Sequence, residues 1–192
     1  MLNIVLVEPE IPANTGNIGR TCVLTGSRLH LVGPIGFDLN DRAVQRAGLG
    51  YWQSLELRTY KSWQEFERKN LSSGYGGVHL LTKTGPRTYC DTHYSDEDWL
   101  VFGKESSGLD RDLLEAHSEQ CESIPMCNDD VLINAPSWHA RHEQLHPELR
   151  QDICGNFVDA RAGRITSLNL SNAVAIVTYE ALRQLGFPNM LV

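Results

Sequence analysis

Positive charge is what this 192-residue chain most conspicuously lacks. Its 17 Lys and Arg stand against 24 Asp and Glu, a net charge of −7. Broad, non-specific nucleic-acid binding needs clustered cations along the phosphate backbone, so the charge balance counts against that class and any RNA site must be a local patch. Long hydrophobic runs are also missing. The opening run from Met1 to Glu8 is apolar but has no basic segment, and it is too short for a signal peptide or a membrane span. No membrane association is expected, and the expected compartment is the cytoplasm. The five cysteines, Cys22, Cys90, Cys121, Cys127 and Cys154, are odd in number and scattered, which fits reduced thiols better than a disulfide framework. Neither an internal repeat nor a low-complexity tract interrupts the chain.

What is present is the composition of an ordinary folded domain, 41% hydrophobic and 21% charged. The length suits one domain spanning 1–192. Hydrophobic patterning predicts strands at Leu2 to Val7, Arg28 to Val32, Ser54 to Tyr60, Val78 to Thr82, Asp98 to Phe102 and Glu122 to Pro125. Helices are predicted at Asn17 to Leu24, Asn40 to Ala47, Ser62 to Lys69, Leu109 to Ala116 and Ser171 to Leu185. This alternation implies an α/β fold, a mostly parallel sheet covered by helices. Only residues 127–166 break the rhythm. They are polar, rich in His, Arg, Asp and Asn, and read as an insert with one helix candidate from Ser137 to Gln151.

Three stretches at strand ends carry possible chemistry. The first, Asn14-Thr15-Gly16-Asn17-Ile18-Gly19-Arg20, follows a strand and opens a helix. Glycines let the backbone approach a ligand and a helix N-terminus attracts anions, although a capped glycine-rich turn reads the same way. It is neither a P-loop, which would end in Gly-Lys-Ser/Thr, nor a GxGxxG fingerprint. The second stretch runs from Leu100 to Leu109, where a strand ends in a tight loop holding Gly103, Glu105 and Gly108. Ligands of open α/β sheets sit beyond such strand ends. Glu105 there reads either as a site carboxylate or, preferably, as a cap on the next helix. The third is split between Ile124-Pro125-Met126 and the segment Ser167 to Ala175, whose Ser and Asn residues also suit helix capping.

In this order and at these strand ends, the three stretches resemble the SPOUT methyltransferases, over Met1 to Met126 and Ser167 to about Phe187. The opening Met1 to Arg20 and the segment Gly36 to Leu49 resemble the branch that methylates the wobble ribose of tRNA. The resemblance implies a C-terminal deep trefoil knot, S-adenosylmethionine (SAM) as methyl donor, and no metal. By motif it assigns Leu81, Gly103, Ile124 and Ser167 to SAM binding, and Arg20 to the catalytic position. A guanidinium is always protonated, so Arg20 is expected to hold the neighbouring phosphate and polarise the 2′-hydroxyl rather than act as a base. Asn14, Arg42, Arg46, Glu105, Asn172 and Tyr179 are candidates for substrate contact. For Tyr179 the alternative is a place in the core, and for Arg42 and Arg46 a solvated face. Tyr51-Trp52 reads as a base-stacking pair or, preferably, as core.

The implied partners are the tRNA anticodon stem-loop and a second copy of the chain. The last helix, with Ala173, Ala175 and Ile176, would pack at the dimer interface. The insert at about 127–166 departs from the family pattern beside the expected SAM pocket. Lid, RNA contact and neutral surface excursion are equally open for it. Its His139, His142 and His146, with Cys127 and Cys154, do not form a recognised zinc spacing. The competing functions are a non-catalytic RNA-binding homodimer and a methyltransferase of the same scaffold acting on another RNA.

Overall fold

The computed structural model describes residues 1–38, 50–72, 74, 76–126, 167–188 and 190. The predicted helix from Asn40 to Ala47, Arg42 and Arg46, and the whole insert with its histidines, lie outside these residues.

Among the described residues, seven strands form one parallel sheet in the order β3-β2-β1-β6-β4-β7-β5. They are β1 (Asn3–Val7), β2 (Arg28–Val32), β3 (Leu57–Tyr60), β4 (Val78–Leu81), β5 (Arg87–Thr88), β6 (Trp99–Phe102) and β7 (Cys121–Ser123). Every residue of β1 and β6 is buried, as expected of parallel strands covered on both faces. On one face α1 (Pro12–Thr25) and α4 (Leu170–Gln184) pack Ile18, Cys22, Val174, Val177 and Ala181 against Ile4, Leu6, Leu29, Leu100 and Phe102. The opposite face, with Val5, Val7, Val32, Leu80 and Val101, is covered by Phe66 of α2 (Trp63–Asn70) and partly by Leu113 and Leu114 of α3 (Arg111–Ala116). The α/β class and the parallel sheet agree with the sequence pattern. Among the described residues, no helix is long and apolar enough to cross a membrane.

Several boundaries differ for identifiable reasons. The first helix begins at Pro12, not Asn17, so the stretch read as a loop is helical. Proline at the first helical position is pre-set for the turn and has no N–H to leave unpaired. Gly16 and Gly19 look like loop residues in sequence. Yet a Cβ on Gly19 would meet the Trp52 ring at 2.9 Å, so packing, not flexibility, calls for glycine there. The strand predicted from Ser54 is preceded by a 3₁₀ turn, Trp52–Ser54, and starts at Leu57. The two-residue β5 has too little sequence to show a period.

Two buried histidines are shifted in opposite directions by their surroundings. His79 of β4 lies between two carboxyl groups, with Nδ1 2.6 Å from Glu122 Oε1 and Nε2 3.0 Å from Asp98 Oδ2. The Tyr94 hydroxyl donates to the other Glu122 oxygen at 2.7 Å. Burial disfavours charge on this ring, but the hydrogen bonds to Asp98 and Glu122 outweigh it and lift the pKa to about 9. His30 of β2 bonds Tyr60 Oη at 2.9 Å and stacks among Tyr60, Phe66 and Trp99. Its burial, reinforced by Arg58 and Arg28, lowers its pKa to about 3.

The sign of each effect follows from linkage. His79 stabilises the fold fully below its unfolded pKa of about 6.5, and that contribution is lost as pH rises through about 9. His30 contributes fully above about 6.5 and loses its effect as pH falls toward about 3. Urea denaturation between about pH 6 and about pH 10 is therefore expected to show stability falling by on the order of 2–3 kcal/mol. His79→Gln should be less stable at neutral pH and lack that alkaline limb. A limb that survives the substitution would mean that other groups cause it.

Candidate active site

The carboxyl ends of β4, β6 and β7 open onto one cleft of about 440 Å³. That is within the usual range of roughly 300–1,000 Å³ for small-molecule sites, at the usual place in an open parallel sheet. Leu81 ends β4, Gly103 follows β6, Ile124 follows β7, and Ser167 lies just ahead of α4. All four line this cleft. The structure thus brings together every residue assigned to SAM by motif.

Gly103 shows how tightly the wall is built. A Cβ there would lie 2.1 Å from the carbonyl carbon of Gly108 and 2.2 Å from the amide nitrogen of Leu109. The loop doubles back so that its two ends touch backbone to backbone, closed by the Gly108 amide donating to the Lys104 carbonyl at 2.8 Å. Gly108 sits at φ +76°, which a side chain would resist.

One chain of polar contacts links the three motifs. Asn14 is buried to 1% exposure at the cleft. Its amide nitrogen donates to Glu105 Oε1 at 3.0 Å, and its side-chain oxygen accepts from Asn169 Nδ2 at 2.9 Å. Asn169 in turn caps α4, its oxygen accepting from the Ser171 amide at 2.9 Å. The second Glu105 oxygen accepts from the Glu10 amide at 2.8 Å, and Glu10 returns the contact by accepting from Ser106 N and Oγ, both at 2.8 Å. Lys104 reaches Glu8 at 2.8 Å, and Glu8 is held at φ +51°, rare for a residue with a side chain.

Glu105 therefore does not cap the following helix, as its position suggested. That cap is Asp110, without a side-chain hydrogen bond, and Glu105 is instead occupied with the segment leading into α1. Asn169 and Glu10 were not among the sequence candidates. Their partners lie far off in sequence, so local spacing marked Asn169 only as a helix cap and Glu10 not at all.

Arg20 is exposed on the outer face of α1 and does not line the cleft; Asn14 is the first motif's share of it. The Arg20 guanidinium lies 5.2 Å from the centre of the Tyr51 ring, whose hydroxyl donates to the Gly16 carbonyl at 2.8 Å. Tyr51 is half-buried, neither a free stacking platform nor core. On α4, Asn172 faces outward with Ile176 and Tyr179, which are 36% and 45% exposed. The core alternative for Tyr179 is thereby excluded in this chain.

Known proteins resemble this chain in sequence and fold. The SpoU rRNA Methylase family profile matches residues 1–135. A Listeria innocua protein provisionally named a tRNA (cytidine(34)-2′-O)-methyltransferase is 40% identical over 192 residues, covering 98% of this chain and 91% of that protein. A structure described under the 2-OH methylation of C/U34 on tRNA superposes with a TM-score of 0.73 at 32% identity, covering 97% of each chain. The SpoU methyltransferase AviRb from Streptomyces viridochromogenes, solved with AdoMet, shares the fold at a TM-score of 0.68 and 21% identity, over 96% of this chain and 57% of its own. With the profile spanning well over half of its residues and a relative at 40% identity along nearly its full length, the chain belongs to the SpoU rRNA Methylase family.

Proposed function

We propose that this chain is a SAM-dependent tRNA 2′-O-methyltransferase acting on the ribose of the wobble nucleotide, C or U at position 34. The observation that carries the reading is the convergence of Leu81, Gly103, Ile124 and Ser167, scattered over half the sequence, on one cleft at the strand ends. The relatives named for C34 and C/U34 methylation supply the substrate.

The cleft fits the cofactor. Its walls combine strand-end backbone, which can meet an adenine edge, with apolar side chains such as Phe102, Leu109 and Leu170 against which a flat ring can lie. The Gly103 wall leaves no room for a side chain where the loop closes on itself. When bound, SAM supplies an electrophilic methyl group. The protein's part is to hold the ribose in line with it, and such positioning contributes much of the rate in reactions of this kind. Arg20, a permanent cation with a planar fork of donors, grips the phosphate beside the target ribose and polarises its 2′-hydroxyl. Asn14 and Glu105 line the cleft, Asn172 lies on the exposed face of α4, and Arg42 and Arg46 are assigned to the anticodon stem.

The reading extends to the whole assembly: one SPOUT domain over 1–192 with the insert at about 127–166, a C-terminal trefoil knot, a cytoplasmic setting and a homodimer. Support for the dimer comes from the outer layer of α1 and α4. There Leu24, Ile176 and Tyr179 expose 68%, 36% and 45% of their surface, on two helices that pack against each other. A second copy would cover this apolar surface and bring two acidic chains' cations to bear on one RNA.

Three outcomes follow. Arg20→Ala should bind SAM within about threefold of the parent by calorimetry yet transfer methyl groups to a C34 or U34 anticodon stem-loop about 100-fold more slowly, since it removes a group that acts on the reacting ribose. Unchanged turnover would remove Arg20 from the reaction. Gly103→Ala should weaken SAM binding by about tenfold or more, because the loop must open to admit the methyl group. Wild-type affinity would place the cofactor elsewhere. Ile176→Asp should shift the protein toward a monomer in sedimentation velocity, and an undisturbed dimer would move the interface off α4.

A further inference from the structure

Tyr51 stands immediately before the 3₁₀ turn Trp52–Ser54 and touches the turn of α1 that carries Arg20 at two places. Its ring lies under the Arg20 guanidinium, 5.2 Å from centroid to Cζ, close enough for a favourable cation–π contact. Its hydroxyl donates at 2.8 Å to the carbonyl of Gly16, which is the helical acceptor one turn back for the Arg20 amide. The neighbouring residue fixes this arrangement. Trp52 packs so closely on Gly19 that a methyl group there would collide with its ring at 2.9 Å and press on Leu55 at 3.2 Å. Burial raises the pKa of the Tyr51 phenol while the adjacent Arg20 opposes the rise, as expected for two groups in direct contact.

An arginine on an exposed helix face ordinarily samples many rotamers, and restricting them carries an entropic cost at each encounter with substrate. Tyr51 restricts them beforehand. We infer that Tyr51 is a positioning residue for the methyl-transfer reaction, an aromatic shelf that holds the Arg20 guanidinium in its working orientation before RNA arrives. This rests on the reading of Arg20 given above. Misplacement of a group at a reacting centre by even about 1 Å can lower a rate by about 100-fold, so loss of the shelf should appear in turnover rather than in cofactor affinity.

The test separates the shelf from its role. In NMR spectra of the RNA-free protein, the Arg20 side-chain signals should be displaced upfield by the Tyr51 ring current. The displacement should persist in Tyr51→Phe and vanish in Tyr51→Leu. In single-turnover methylation of the anticodon stem-loop, Tyr51→Leu should be slowed about tenfold with SAM affinity unchanged, and Tyr51→Phe should recover most of that loss. With Arg20→Lys in place, Tyr51→Leu should slow the reaction by less than about twofold further, the signature of a residue acting through another. Equal slowing in both backgrounds, or loss of SAM binding and thermal stability in step with the rate, would overturn the positioning role and leave Tyr51 a packing residue. Absence of the ring-current displacement would overturn the shelf itself. If Arg20→Ala alone leaves turnover intact, the failure lies with the role of Arg20, whatever the spectra show.

Discussion

Asn14 is the joint on which the cleft depends. A side-chain amide has one acceptor oxygen and one donor nitrogen, and here each is committed to a different motif, the nitrogen to Glu105 and the oxygen to Asn169. Those partners are 91 and 155 residues away in sequence, so no local preference brings them together. Because Asn14 is buried, water cannot substitute for either contact, and a buried amide left unsatisfied costs about 1–3 kcal/mol. Glu105 and Asn169 then pass the constraint outward, one to the segment entering α1 and the other to the first turn of α4. Aspartate in place of Asn14 would present two acceptors to Glu105, and leucine of similar size would present none. Asparagine satisfies both neighbours at once.

The sheet distributes polar groups with the same economy. His79 is held between Asp98 and Glu122, with its ring against Tyr94, whose amide donates to Gln184 of α4. His30, on the other side of β1, remains neutral among aromatic rings. The same residue type thus performs two structural tasks, set by whether carboxyl groups or rings surround it. Neither histidine touches the cleft, which keeps the titration of the scaffold apart from the chemistry at the strand ends.

Much of this was legible in the sequence. The β-rich stretches Leu2 to Val7 and Arg28 to Val32 marked two strands of the sheet, and the stretch from Ser62 to Lys69 marked α2. The four residues assigned by resemblance, Leu81, Gly103, Ile124 and Ser167, line one cleft. What remained hidden depends on distance. The stretch Pro12 to Gly16 looked like a loop because the surfaces that pack on helical Gly16 and Gly19 come from residues beyond 50. Glu105 looked like a cap for its own neighbour because Glu10 and Asn14 cannot be seen beside it in a linear chain. Tyr51 gave no sign of its contact with Arg20, since nothing in a Tyr-Trp pair specifies which helix it lies against.

The order in which the pieces join also has a bearing on how the protein comes into being. The strands β1, β2 and β3 lie side by side and all belong to the first 60 residues, so this part of the sheet can pair early during synthesis. The other edge of β1 waits for β6, nearly 100 residues later, and the Asn14–Asn169 contact waits for the last helix. Contacts so distant in sequence form slowly and late, after the loop-closure entropy has been overcome. A ribosome-bound chain can therefore pair β1, β2 and β3 long before it has a binding cleft, and the Asn14–Asn169 contact at the cleft closes only once α4 has left the exit tunnel.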